Sequence, residues 1–374
     1  MSMDVLEPRT RPVRERQSKL SVVDCDIHPA AKSALELKPY MPQQWWEHLT
    51  TFGSGVRQNF SETLAYPRMQ AEVSRVDAWP PSGGPPGSDL DFMRAQHLDP
   101  NNVERGILIP LRMNAGSQRN LAFGAALCRA INEWQIETWC RKEERLRGSI
   151  QVSADDVKFS VAEIERCAAD PTYVQVLIPP RNLEPLGRER YWPIFEAAVA
   201  ANRPIAMHVG GVSGSPAGAG TGTISYYVEE HQSLVQAMQA VLVSLVVEGV
   251  FERFPTLKIV MVEAGFAWLP ALSWRLDTQW KRFKAEVPQL KRLPSEYIRE
   301  HFWFTTQPIE EPERPEDLDR IIDWIGEDRI MFSTDYPHWD FDDPNYVFKT
   351  RMSETRRRKI FSENAKTLFN LRDA

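Results

Sequence analysis

One stretch near the C-terminus combines acidic, imidazole and aromatic side chains that could do chemistry together. Residues 331–340 read Met-Phe-Ser-Thr-Asp-Tyr-Pro-His-Trp-Asp, and they begin in a short run of strand-like residues. Asp335 stands where that strand would end, and His338 follows shortly after it. Carboxylate and imidazole groups at the end of a strand can form a metal site or an acid–base site. An Asp- and Pro-containing surface turn is the alternative interpretation of this stretch alone.

Three earlier strand-like segments end in the same kinds of side chain. The first leads into Asp26-Ile-His28, the fifth contains His208 and the sixth ends at Glu263. Residues two apart in a strand point to the same side, so Asp26 and His28 can face one centre. Imidazole and carboxylate ligands around a divalent ion, with one position left open, are typical of a catalytic zinc site. Together with Asp335, these residues predict a site for a divalent metal ion, with zinc as the first choice.

Each of these residues also has a simpler interpretation when it is taken alone. An Asp-x-His pair is common by chance, a single histidine such as His208 is more often a hydrogen-bonded core residue, and Glu263 could cap the next helix. The joint pattern favours the metal site, because every one of these groups lies at the end of a predicted strand.

The chain between these residues alternates between strand-like and helical segments. Continuous apolar strands separated by helices predict a parallel sheet covered on both faces, and this many units predict a (β/α)8 TIM-like barrel with an insertion after strand one. The runner-up is an open doubly wound sheet, but no Gly-x-Gly-x-x-Gly follows the first strand. The strands of such a barrel all end on one face, where active sites are built. The predicted strands are 20–23, 105–110, 146–152, 173–178, 204–211, 257–263, 302–306 and 329–333.

Two regions exceed what a minimal barrel needs. Residues 1–19 are charged and contain proline, which predicts a disordered or wrapping arm rather than a signal peptide. Residues 52–90 are irregular and rich in proline and glycine, which predicts a functional loop or lid, or a disordered segment. The rest, 20–374, is predicted to form a single barrel domain. We expect the arm and the insertion to cover the active-site mouth or a neighbouring subunit.

The composition argues against several classes of function. The net charge is -6 and no segment forms a Lys/Arg-rich stripe, so no nucleic-acid partner is expected. No apolar run approaches the length of a membrane span. The four cysteines show neither paired metal spacing nor a disulfide framework. These features predict a cytoplasmic protein that acts on a small molecule.

The joint motif set resembles the amidohydrolase-related branch of the amidohydrolase superfamily. The resemblance rests on Asp26-Ile-His28, on Pro204–His208, on residues 254–265 and on Phe332–His338. This branch includes aminocarboxymuconate semialdehyde decarboxylase, the resorcylate-type decarboxylases and many uncharacterised hydrolases. The resemblance implies a TIM-like barrel with one divalent metal, commonly zinc or manganese, and a homodimer.

The resemblance also implies roles for the candidate ligands. Asp26 and His28 correspond to the ligands of strand one, His208 to the ligand of strand five, and Asp335 to the strand-eight carboxylate that binds metal and moves a proton. Strand six departs from the pattern, because the decarboxylases usually have a histidine where this chain has Glu263. That residue is therefore a third carboxylate near the metal or an anchor for the following turn.

Two further histidines are candidates for acid or base groups. His338 follows Asp335 in the last strand-end loop, and His231 follows the Gly-rich loop after strand five. A loop contact is the alternative role of His338, and the first turn of the next helix is the alternative place of His231. The remaining histidines are predicted to be structural: His48, His97 and His301.

The leading functional prediction is a metal-dependent hydrolase. A metal ion lowers the pKa of a bound water to roughly 7, and Asp335 would take its proton and return it to the leaving group. The substrate would be a small carbonyl compound, aromatic or otherwise apolar. The alternative is a non-oxidative decarboxylase of an aromatic or unsaturated carboxylic acid, with Asp335 or a histidine protonating carbon. A barrel that binds a ligand without catalysis is the third hypothesis.

Overall fold

Eight parallel strands form the centre of the molecule. In the computed structural model, which describes residues 20–54, 73–210 and 225–371, each strand pairs with the next one in the sequence. The predicted (β/α)8 barrel is confirmed. Its strands are β1 (Val22–Ile27), β2 (Val103–Leu108), β3 (Leu146–Gln151), β4 (Tyr173–Leu177), β5 (Ile205–His208), β6 (Ile259–Val262), β7 (Phe302–Thr305) and β8 (Ile330–Met331).

Backbone hydrogen bonds beyond the end of β8 close the barrel against β1. The amide of Cys25 donates to the carbonyl of Phe332 at 3.0 Å, and the amide of Asp335 donates to the carbonyl of Asp26 at 3.2 Å. The amide of His28 then donates to the carbonyl of Tyr336 at 2.8 Å. These contacts place the first and last metal-type motifs of the sequence side by side.

The helices that follow the strands agree with the predicted alternation. The helical segment after the fifth strand is divided at Gly249, which has a φ of 77° and ends one helix before a short second one. The described α-helices are α1 (Gln43–Phe52), α2 (Leu90–Met93), α3 (Leu121–Gln135), α4 (Val157–Ala168), α5 (Trp192–Ala200), α6 (Tyr227–Val247), α7 (Val250–Arg253), α8 (Leu269–Phe283), α9 (Pro294–His301), α10 (Glu316–Ile325), α11 (Glu354–Arg358) and α12 (Asn364–Phe369).

One apolar cluster runs through the inside of the barrel. It joins buried residues of β1, β2, β4, β5, β6 and β8, and strands on opposite sides can share a cluster only across the interior. Leu368 and Phe369 of α12 belong to the same cluster. Lys366 of α12 contacts Glu104 near the start of β2 at 2.6 Å, so this helix lies at the end where the strands begin. The end of the barrel where the strands end is therefore available for polar groups.

The β2–β3 ladder opens towards the ends of the strands. The two strands pair at only two positions, Gly106 with Leu146 and Ile107 with Arg147, which lie at the start of β3. Beyond these, Gln135 of α3 binds the backbone amide and carbonyl of Ser149 at 3.0 and 2.7 Å. Asn132, one helical turn earlier, binds the amide and carbonyl of Gln151 at 2.8 and 3.0 Å. Side-chain amides thus satisfy backbone groups that a neighbouring strand would otherwise satisfy.

The described part of the predicted insertion packs over the ends of β1 and β8. Ser74 forms an antiparallel bridge with His338, and the carbonyl of Gly87 accepts from Ala30 at 2.8 Å. Strand β1 is longer than predicted, because Asp24 and Asp26 lie within it rather than after it. No helix among the described residues has the length and apolar composition needed to cross a membrane. The predicted arm, residues 55–72 of the insertion and residues 211–224 lie outside the described residues, and the domain boundaries stay predictions.

Candidate metal centre

Five side chains from four strand ends converge at the mouth of the barrel. Asp26, His28, His208, Glu263 and Asp335 each offer one ligand-type atom, and these atoms all lie within 4.8 Å of one another. The parallel strands all end on this face, so residues far apart in the sequence meet here. The structure therefore brings together all five residues that the sequence predicted as ligands.

The donor atoms approach one another at distances close to those of hydrogen bonds. His28 Nε2 lies 2.7 Å from an oxygen of Asp335 and 3.1 Å from Asp26 Oδ1. His208 Nε2 lies 2.8 Å from Glu263 Oε2 and 3.5 Å from Asp26 Oδ2. Asp26 and Asp335 are fully buried, and the two histidines are nearly so. The centre is compact enough for one ion to contact several of these atoms.

Backbone carbonyls orient both histidines towards the centre. His28 Nδ1 lies 2.7 Å from the carbonyl oxygen of Ile109, and His208 Nδ1 lies 2.7 Å from that of Val209. A carbonyl can only accept, so in each ring Nδ1 carries a hydrogen and Nε2 faces the carboxylates. Metal-bound histidines are commonly fixed in this way by an outer hydrogen bond.

Several polar atoms of the centre have no hydrogen-bond partner among the described residues. Neither side-chain oxygen of Asp26 takes part in a hydrogen bond with them, and neither does Nε2 of His208. Burial raises the pKa of Asp335, and the nearby carboxylates of Glu263 and Asp26 raise it further. Burial also lowers the pKa of His28, which favours the neutral ring that binds metals. A divalent cation would neutralise the carboxylates and use the unpartnered atoms, so this donor set fits one.

Two of the ligand-type carboxylates sit on strained backbone. Glu263 has a φ of 55° and Asp335 a φ of 64°, a region that residues other than glycine rarely adopt. Such conformations concentrate at functional sites, where the surrounding structure holds them in place. Glu263 does not cap the next helix, α8, whose N-cap is Trp268 and which has no side-chain cap.

His338 lies directly over the centre. Its Nδ1 is 2.7 Å from Asp335 Oδ1, and its ring stacks on that of His28 with centroids 4.4 Å apart. The His338 side chain is 19% exposed, whereas that of Asp335 is fully buried. The predicted loop histidine therefore connects a buried carboxyl group with the solvent side of the mouth.

His231 forms a second pair beside the centre. It lies in α6, as its alternative interpretation required, and its Nε2 is 3.1 Å from Asp340 Oδ2. His231, Asp340 and Glu263 also offer ligand-type atoms within 4.8 Å of one another. Burial raises the pKa of Asp340, but the hydrogen bond and charge of His231 outweigh it and keep the carboxylate ionised. The pair places an imidazole at the edge of the site.

Comparison with known proteins assigns the chain to a family. A profile of the amidohydrolase family matches residues 23–371. The chain belongs to this amidohydrolase family. The resemblance seen in the sequence is thereby confirmed.

Curated and solved relatives of this amidohydrolase include several decarboxylases. The gamma-resorcylate decarboxylase of a Polaromonas species is 28% identical over 296 residues, covering 76% of this chain and 88% of that protein. The crystal structure of 5-carboxyvanillate decarboxylase from Sphingomonas paucimobilis matches with a TM-score of 0.67 and 21% identity over 94% of this chain and 99% of that one. A dihydroxybenzoic acid decarboxylase from a Polaromonas species, with bound manganese and the inhibitor 2-nitroresorcinol, matches with a TM-score of 0.65 and 22% identity over 95% and 98%.

The predicted hydrolase activity is contradicted by these relatives, which are named as decarboxylases. The physical reason for the error lies in the ligand set. Carboxylates and imidazoles hold a divalent ion in the same way whether its open position receives water or an oxygen of the substrate. The residue types at the strand ends therefore indicated a metal centre but not its reaction.

Sequence reasoning missed a buried network behind the ligands. Asp24 accepts hydrogen bonds from the amide and hydroxyl of Thr334 at 2.9 and 2.6 Å, from His97 Nε2 at 2.8 Å and from the amide of Asp26 at 3.2 Å. Asn101 donates to His97 Nδ1 at 3.1 Å, which leaves the hydrogen of that ring on Nε2. The network ties β1 to the residue before Asp335. The alternation Asp24-x-Asp26 was the one available signal in the sequence.

Gln307 is a second residue that the sequence did not indicate. It follows β7, is fully buried, and its Nε2 lies 3.3 Å from Asp335 Oδ2 and 3.3 Å from the carbonyl of Asp340. This amide links the two carboxylate residues of the last loop. A glutamine is neither a common metal ligand nor an acid, so its type gave no signal.

Proposed function

We propose that this protein catalyses the non-oxidative decarboxylation of an aromatic carboxylic acid at one divalent metal ion. The observation that carries the proposal is the intact five-residue donor set in a chain whose curated relatives are named gamma-resorcylate decarboxylases. In this reaction the bond between the ring carbon and the carboxylate breaks, carbon dioxide leaves, and the ring carbon takes a proton.

The metal would be held by Asp26, His28, His208 and Asp335, with Glu263 as a further carboxylate. A bound divalent ion supplies positive charge that binds and neutralises oxygen atoms of the substrate. Three carboxylates and two imidazoles form an oxygen-rich set, which suits manganese better than a nitrogen- or sulfur-rich set would. Manganese is also the metal in the Polaromonas relative. We therefore propose manganese in place of zinc, the first choice from the sequence.

Asp335 is the proposed proton donor to the ring carbon. It is buried in the centre, and His338 Nδ1 lies within hydrogen-bond distance of its Oδ1. A proton can therefore pass from the partly exposed imidazole of His338 to the carboxyl group after each turnover. His338 is the proposed route by which the buried acid is reloaded.

His231 would act from the other side of the mouth. Its ion pair with Asp340 fixes the ring, and Trp339 packs against it with centroids 5.6 Å apart. An imidazole held in this way can donate to an oxygen of the substrate that points away from the barrel axis. We propose that it orients the acid for loss of carbon dioxide.

The decisive experiment measures carbon dioxide release by the manganese-loaded protein from gamma-resorcylate and from 5-carboxyvanillate. We expect release from at least one aromatic acid and its loss in Asp335→Asn. Asp99→Asn is the matched control, because Asp99 is an exposed partner of Arg145 away from the centre, and it should leave the rate unchanged. Hydrolysis of esters or amides without carbon dioxide release from any aromatic acid would refute the proposal.

A further inference from the structure

A second group of ligand-type atoms lies beside the metal centre. His231, Asp340 and Glu263 each offer one such atom, and these three atoms lie within 4.8 Å of one another. Neither His231 nor Asp340 belongs to the five converging residues, so the two groups share only Glu263. Imidazole nitrogen and carboxylate oxygen are common ligands of zinc. The second group is therefore a candidate for a separate cation.

Three different elements hold these side chains in place. His231 lies near the start of α6. The carbonyl of Asp340, in the loop after β8, accepts from Gln307 Nε2 at 3.3 Å. The amide of Glu263, at the end of β6, donates to Thr305 Oγ1 at 3.1 Å. Because each ligand-type residue is fixed by its own surroundings, little rearrangement is needed to bind an ion.

The spacing of the donor atoms also suits an ion. His231 Nε2 lies 3.1 Å from Asp340 Oδ2. Two ligands of a tetrahedral zinc ion are roughly 3.3–3.5 Å apart, given the usual zinc–nitrogen and zinc–oxygen distances. The pair would therefore have to open by only a few tenths of an ångström, with the ion taking the place of the hydrogen between the two atoms.

The second group is more accessible than the first. The side chains of His231, Asp340 and Glu263 are 18%, 11% and 9% exposed, respectively. Asp26 and Asp335 are fully buried. An ion can therefore reach the second group from the solvent and keep water as a further ligand, as zinc does in open sites.

The charge around both groups favours a second cation. Four carboxylates belong to them: Asp26, Glu263, Asp335 and Asp340. When all four are ionised, one divalent ion offsets two of the four negative charges. The remaining charge attracts another cation. Glu263 can serve both ions, because a carboxylate has two oxygen atoms, and pairs of ions about 3.5–4 Å apart are common in enzymes.

An ion in the second group would leave the space on the other side of the centre open. A mainly apolar cavity of about 160 Å³ adjoins the centre at His208, and its walls come largely from the ends of β3, β4 and β5. None of the three residues of the second group belongs to the described lining of this cavity. The two features can therefore be occupied independently.

We propose that His231, Asp340 and Glu263 bind a second divalent cation, preferably zinc, next to the first. Three protein ligands and one water complete a tetrahedral zinc site, and zinc generally binds such ligands more tightly than manganese does. The site has fewer ligands than the first one, so it fills only when zinc is in excess. Occupation would hold the imidazole that is proposed to orient the substrate. Excess zinc should therefore inhibit carbon dioxide release, a consequence that rests on the proposed function.

The test counts divalent metal ions per chain by elemental analysis, in the protein as purified and after equilibrium dialysis against a molar excess of zinc. We expect the wild-type protein to rise from one ion to two. Asp340→Asn should hold one ion under both conditions. Outer groups alone change metal affinity by about 10–100-fold, so loss of a ligand should weaken the second ion by more than about 100-fold.

Asp342→Asn is the matched control. Asp342 lies in the same loop, and its Oδ2 accepts from the amide of Ile309 at 3.0 Å, but it belongs to neither group. This variant should hold two ions in excess zinc. His231→Gln tests the location a second time, should Asp340→Asn not fold, and is expected to hold one ion.

Two outcomes would overturn the inference: a single ion in the wild-type protein in excess zinc, or a second ion that persists in Asp340→Asn and His231→Gln. The ion count does not depend on turnover, so it separates this inference from the proposed function. Two ions in the wild-type protein and one in Asp340→Asn, without carbon dioxide release from any aromatic acid, would refute the decarboxylase and leave the second cation site standing.

Discussion

The two sides of the barrel mouth treat buried polar groups in opposite ways. On the side of β1, β6 and β8, carboxylates and imidazoles crowd together and several of their atoms have no hydrogen-bond partner among the described residues. On the side of β2 and β3, amides of α3 satisfy the open backbone and the adjoining cavity is mainly apolar. The first side carries the donor set that is proposed to bind a cation, whereas the second lines a mainly apolar cavity. The two sides can be tested separately, because a change on one side should leave the property of the other side intact.

The largest effect is expected from His208→Leu. The variant removes an oriented nitrogen ligand, and metal catalysis supplies several kcal/mol, which corresponds to a rate loss on the order of 10³ or more. Elemental analysis should show metal in the wild-type protein and little in the variant.

His301→Leu is the control for this loss. His301 is equally buried, and its Nδ1 also lies close to a backbone carbonyl, that of Leu257 at 2.9 Å, but it stands away from the carboxylate cluster. It should retain the metal. Equal metal content in His208→Leu and the wild-type protein would contradict the assigned ligand.

His338→Gln should separate proton transfer from metal binding. Loss of a general acid or base costs about 10²–10⁴ in rate, and we expect the lower end because Asp335 remains. Metal content should stay unchanged, since the structure gives His338 a contact with Asp335 rather than a place among the five converging residues. A variant with full kcat would limit His338 to a loop contact.

Asp24→Asn should weaken metal binding without removing a ligand. The side-chain amide of the variant has one acceptor oxygen, so it cannot accept hydrogen bonds from Thr334, His97 and the backbone amide of Asp26 together. The strand ends that carry the proposed ligands are then no longer held in fixed positions. Outer groups of this kind typically affect metal affinity by about 10–100-fold. Manganese titration measures the effect, and a kcat close to wild type at saturating metal would distinguish positioning from catalysis. Unaltered affinity would show that the ligands are held without this network.

The smallest effect is expected on the apolar side, from Gly116→Ala. A Cβ at this position would lie 2.6 Å from the carbonyl oxygen of Val152 and 2.9 Å from Pro179 Cγ, so the cavity wall has to shift. We expect KM for an aromatic acid to rise by a few-fold to about tenfold, with metal content unchanged. A loss of metal in this variant would break the distinction between the two sides.

The sequence predicted the charged side in some detail. Apolar strands at regular intervals required a barrel, and a barrel requires its strand ends to meet, so Asp26, His28, His208, Glu263 and Asp335 could be grouped before any coordinates. The boundaries of the strands were correct to within a few residues, apart from the longer β1. The reaction was predicted wrongly as hydrolysis, because an ion and its ligands do not reveal which oxygen-containing molecule they bind. The homodimer and the cytoplasmic location stay predictions.

The apolar side could not be predicted in this way. Gln151 is one of many glutamines in the sequence, and nothing in its neighbourhood marks it as different. Its environment results from the opening of the β2–β3 ladder, the reach of Asn132 from α3 and the position of Pro110, which together leave one of its oxygens without a donor among the described residues. His97 could not be recognised from the sequence either, because its hydrogen bond with Asp24 depends on how the segment before β2 packs against β1.

The sequence by itself determined the fold and the chemical types gathered at one end of it, because hydrophobic periodicity fixes which elements form and barrel topology fixes where they end. Only the tertiary structure decided which way each side chain faces, which polar atoms are left without partners, and how much space lies beside the metal centre. Those properties depend on register, on strained backbone at Glu263 and Asp335, and on packing between elements distant in the sequence. Residue types and their spacing do not determine these properties directly.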